Sequence, residues 1–118
     1  MQTADIAATY QKGFDLRCEG RYGEAKLELQ KVLAADPTHC DAQWQLALIL
    51  GFEGDFDGSV ASLEMLCRRF PNNLSVRYDL AMTQMMLGMV DDACANFRAI
   101  LAQDPNHEHA RRQVVYCD

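Results

Sequence analysis

A chain of 118 residues, 49% hydrophobic and 24% charged, has the composition of an ordinary globular protein and the length for one core, so a single domain over residues 1–118 is expected. Its net charge of −6 argues against the basic clusters on which nucleic-acid binding depends. The acidity is uneven, with ten acids against five bases in residues 1–59 and seven against six in residues 60–118.

The chain opens, from Met1 to Phe14, on mixed polar residues with no apolar stretch of signal-peptide length. The longest apolar run, Leu46 to Phe52, is too short to span a bilayer. A cytoplasmic location is the expectation for a complete chain. Apolar residues then recur at helical spacing, and the pattern predicts helices at about 4–18, 22–35, 39–52, 56–69, 73–86 and 90–103. A seventh segment, about 107–117, carries Ala110, Val114 and Val115 among Arg and Gln, as a solvent-facing end cap would.

The punctuation between these helices is periodic. Pro37, Pro71 and Pro105 are spaced by 34, and so are Gly20, Gly54 and Gly88. Ala25, Ser59 and Ala93 keep the same register, as do Tyr22, Phe56 and Val90, then Leu29, Leu63 and Phe97. Tyr10, Trp44 and Tyr78 complete the pattern. Each glycine stands where a turn with positive φ closes a first helix. Each proline stands where a second helix must stop. Ala, Ser and Ala leave room for the paired helices to approach. The repeats run over about 6–39, 40–73 and 74–107.

This 34-residue helix–turn–helix period resembles the tetratricopeptide repeat family. The resemblance implies an all-α, right-handed superhelical array of three antiparallel helix pairs plus a C-terminal capping helix. The chain departs from the family pattern at Thr9, Gln43 and Arg77, where an early Trp is usual, and carries its aromatics one place later.

The family builds its concave inner wall from the first helix of each repeat. The matching positions are Tyr10, Phe14, Arg17 and Cys18, then Trp44, Leu48, Gly51 and Phe52, then Tyr78, Met82, Met85 and Met86, with Gln45 and Asp79 beside the aromatics. Such an apolar, aromatic and methionine-rich wall suits the apolar side chains of a helix or extended peptide. The implied function is a non-enzymatic interaction module. The alternative is a homo-oligomer that buries the same wall, and a chaperone for hydrophobic secreted proteins is a sub-case. Some family members clamp acidic chaperone tails with cations. The matching positions here are Tyr10, Phe14, Gln45, Ser75 and Asp79, which disfavour that ligand.

Other constellations read as scaffold. Glu53, Asp55, Asp57, Gly58, Val60 and Glu64 imitate a calcium loop, but the repeat register puts Asp57 to Glu64 on a helix, so the segment reads as a solvated acidic turn. His107 and His109 are two apart, an awkward spacing for joint chelation on a helix. His107 is expected in a turn and His109 on the cap helix. No phosphate loop, nucleophile elbow or zinc helix occurs, so no enzyme activity, cofactor or metal is expected. The five cysteines, Cys18, Cys40, Cys67, Cys94 and Cys117, form no Cys-x-x-Cys pair and read as free thiols.

Overall fold

The structure, a computed structural model, describes residues 1–117. Among them are seven helices: α1 Thr3–Cys18, α2 Tyr22–Ala35, α3 Cys40–Phe52, α4 Phe56–Arg69, α5 Leu74–Met86, α6 Val90–Gln103 and α7 Glu108–Val114. The first six match the expected bounds to within one residue.

The agreement has a local cause. Gly20, Gly54 and Gly88 take φ of 78°, 94° and 80°. At each, two crossed backbone bonds close the helix, as when the N–H of Gly20 donates to Arg17 and that of Arg21 to Leu16. Helix starts repeat as well. Nδ1 of His39, Oδ1 of Asn73 and Nδ1 of His107 accept from the N–H of Ala42, Val76 and Ala110, which caps α3, α5 and α7. Asp55 caps α4 in the same way, accepting from the N–H of Gly58.

The chain divides into two compact units, Met1–Ser59 and Val60–Asp118, and the boundary falls inside α4. In the first, Leu16, Ala25, Leu29, Val32, Ala42 and Ile49 form a core, with α1 packed on α2 and α2 on α3. The small residues do what their spacing implies. Ala25 is fully buried, and Ser59 donates its hydroxyl to the carbonyl of Ala47. In the second unit, Ala81, Ala93, Phe97, Ile100 and Ala110 form the core between α5, α6 and α7. Burying a side chain as large as Leu29 or Phe97 contributes about 1.5–3 kcal/mol from apolar area alone.

Two expectations are corrected. The last helix ends at Val114, and the chain turns at Val115–Tyr116 with the N–H of Cys117 donating to Val114. That turn sets Cys117 against α6, where it is disulfide-bonded to Cys94 with Cα atoms 5.9 Å apart. Cys18, Cys40 and Cys67 are not disulfide-bonded. Spacing along the sequence cannot report a pairing made by a turn after a short helix.

Candidate binding site

In residues 1–59 two of the expected wall positions, Phe14 of α1 and Phe52 of α3, flank the guanidinium of Arg17. Tyr10 and Phe14 are one helical turn apart on α1, with ring centroids 6.3 Å apart. Arg17 follows on the same face. Its guanidinium carbon lies 5.1 Å from the centroid of Phe14 and 5.7 Å from that of Phe52, the last residue of α3. Phe52 is 55% exposed and stacks on Tyr22 at 5.7 Å with rings nearly parallel. Trp44 and Leu48 are half-buried on α3, while Cys18 is exposed and Gly51 sits against the Ser59 hydroxyl.

Gln45 was expected as a polar group beside the aromatics and is buried behind them. Its Oε1 has no hydrogen-bond partner. Burial raises the Tyr10 phenol pKa above its ordinary value, as does the charge of Asp41, while Gln45 and Arg17 act against both. The ring of Tyr10 also leans on His39, 5.3 Å away.

In residues 60–118 the expected positions are engaged in packing to different degrees. Tyr78 contacts Phe97 at 6.0 Å, His107 at 5.9 Å and His109 at 5.5 Å. Met82 and Met85 pack against the α5–α6–α7 core, Asp79 is half-buried, and Met86 is 73% exposed. His107 stands in the turn and His109 on α7, where the sequence placed them, with Nδ1 of His107 engaged by Ala110. In the acidic turn, Glu53 pairs with Lys26 at 2.9 Å and Asp55 is the helix cap.

Sequence reasoning missed two features. One is Tyr22, visible in the sequence only as a repeat position, which supports Phe52 from behind. The other is a polar network in residues 60–118, where Arg77 Nη1 donates to Asn96, and Asn96 donates to Gln84. These three line a cleft of about 640 Å³ with Glu64, Arg68 and Asp92. The signal was Arg77 itself, a cation at the place where the repeat usually carries Trp.

A profile described as tetratricopeptide repeat matches residues 52–113. No curated protein matches the chain. Among solved structures, PcrH from Pseudomonas aeruginosa is 18% identical, with 98% of this chain and 90% of that one covered and a TM-score of 0.80. PcrH in complex with the chaperone binding region of PopB is matched over 98% of this chain and 96% of that one, with the same identity and TM-score. The first TPR of Spaghetti (RPAP3) bound to the HSP90 peptide SRMEEVD is 16% identical, with 98% and 92% covered and a TM-score of 0.81. At such identities the likeness is one of fold.

Proposed function

Because the chain belongs to the tetratricopeptide repeat family, we propose that it is a non-enzymatic binding module that holds an apolar segment of another protein. The carrying observation is the α1–α3 face of residues 1–59. Phe14, Trp44, Leu48 and Phe52 are only partly covered there, beside Tyr10, which also packs against the core of α1, α2 and α3. Aromatic side chains supply large contact area at small entropic cost, and rigid helices present them ready for contact. The family's fold is a scaffold for protein–protein contacts, and PcrH and RPAP3 are seen with bound segments of other proteins, which supports the reading.

Selection of random peptides displayed on phage against the whole chain, followed by amide chemical-shift mapping with a synthetic binder, tests the proposal. Shifts concentrated on α1 and α3 around Phe14, Trp44 and Phe52 are expected. Shifts confined to the cleft around Arg77 would overturn this choice of face. Light scattering that showed a dimer, with Phe52 protected in it, would assign the face to a second copy instead.

A further inference from the structure

We propose that Arg17 reads a carboxylate side chain on the bound segment, so that ligands of this module carry Asp or Glu beside an apolar anchor. The inference rests on the reading of the α1–α3 face as the binding surface.

Residues 1–59 contain five bases, and four of them have carboxylate partners. Lys12 reaches Glu28 at 3.5 Å, Arg21 reaches Glu24 at 2.6 Å, Lys26 reaches Glu53 at 2.9 Å and Lys31 reaches Glu28 at 3.0 Å. Arg17 is the exception. In a unit with twice as many acids as bases, it has no ion pair among the described residues and lies over Phe14 and Phe52 instead. Its Nε is buried without a hydrogen-bond acceptor. Glu19 and Glu53 are engaged elsewhere, Glu19 with Arg21 at 3.6 Å and Glu53 with Lys26, while the charge of Asp41 acts on the neighbouring Tyr10.

An arginine held this way is prepared for an incoming anion. Two aromatic faces hold the guanidinium, so less side-chain entropy is lost when it binds. The rings also exclude water from one side of it, which strengthens an ion pair formed there. The planar fork matches a carboxylate with two N–H donors. The charge also selects against ligands that place a cation at this point. A side-chain carboxylate fits this position better than a chain terminus. A chain terminus is usually captured with free backbone N–H groups as well, and those nearest Arg17, from Glu19, Gly20 and Arg21, already donate to Asp15, Arg17 and Leu16.

The test uses the whole chain and peptides selected from a random library, synthesised with amidated C-termini. Enriched sequences are expected to place Asp or Glu next to an aromatic or aliphatic residue. Calorimetry on such a peptide and its Glu→Gln analogue should show the analogue about tenfold to a hundredfold weaker. On Arg17→Gln the two peptides should bind within about twofold of each other, since the coupled pair is then absent. Enrichment of apolar peptides without acids would overturn the role of Arg17 and leave the binding reading intact. Affinity that followed a free C-terminus rather than the side chain would also overturn it. An unchanged Glu-to-Gln ratio on a folded Arg17→Gln chain would do the same. If no peptide is enriched, the binding reading itself falls, and this inference with it. Should Arg17→Gln fail to fold by circular dichroism, Arg17→Lys keeps the charge and stem while losing the fork. It should then narrow the Glu-to-Gln ratio, and an unchanged ratio would overturn the role.

Discussion

The two halves of this chain repeat one 34-residue template and treat a half-buried arginine differently. In residues 60–118, Arg77 replaces an apolar scaffold residue and is answered in part from within, its Nη1 donating to Asn96 and Asn96 in turn to Gln84, while its Nε is buried without a partner. In residues 1–59, Arg17 has rings around it and no internal acceptor. The position equivalent to Arg17 one unit on is Met85, packed against the core around Phe97. Equivalent backbone positions therefore serve stability in one half and leave a charge available in the other. The template dictates where helices turn and approach, and leaves open what their remaining side chains do.

The comparison breaks most sharply in the cores. Phe97→Ala and Leu29→Ala remove equivalent, fully buried side chains and should cost about 3–5 and 2–5 kcal/mol respectively in urea or thermal melts. A loss below about 1 kcal/mol for either would mean that its half is not built on this template. Ala93→Leu tests the close approach of α5 and α6, where Ala93 has no exposed surface, and should cost about 1–3 kcal/mol by overpacking. Melting like the parent would contradict that packing.

Function sharpens the contrast. Trp44→Ala should weaken a selected peptide by about 2 kcal/mol or more, with helical content retained by circular dichroism. Loss of thermal stability with binding unchanged would make Trp44 scaffold rather than wall. The histidine caps come next, since both halves use one. His39→Ala should cost about 1 kcal/mol, while His39→Asn, which copies the Asn73 cap, should restore most of it. Faster hydrogen exchange at Ala42 would report the loss.

The smallest effect is electrostatic and confined to residues 1–59. Glu28 is held below its ordinary carboxyl pKa of 4.5, chiefly by its hydrogen bond to Lys31 and also by the charges of Lys12 and Lys31, against an opposing contribution from burial. A depressed carboxyl pKa favours the folded state above the unfolded value, and that stability is lost as pH falls through the folded value. Glu28→Gln should therefore cost under about 1 kcal/mol near neutral pH, and the gap should close as pH drops below 4.5. A gap that persisted at lower pH would assign the effect to packing.

The sequence by itself determined the helices, their ends and the family. These rest on interactions that close within a few residues: a glycine with positive φ, a side chain capping the N–H three places on, a proline that stops a ladder. The 34-residue spacing of Gly20, Gly54 and Gly88 made each such signal visible three times over. The family register also nominated Tyr10, Phe14, Trp44 and Phe52 as wall positions, an assignment that the peptide experiments test. Only the tertiary structure decided which of those residues meet. Whether Arg17 finds a carboxylate or a ring depends on where α3 delivers Phe52 relative to α1, and whether Gln45 faces out or lies behind Tyr10 depends on the same packing. Cys94 and Cys117 make the point most plainly. Each alone resembles a small apolar filler, and their bond exists because α7 stops at Val114 and the next turn brings the chain back to α6. Contacts between distant segments follow from helix angles and lengths acting together, and no local spacing encodes them.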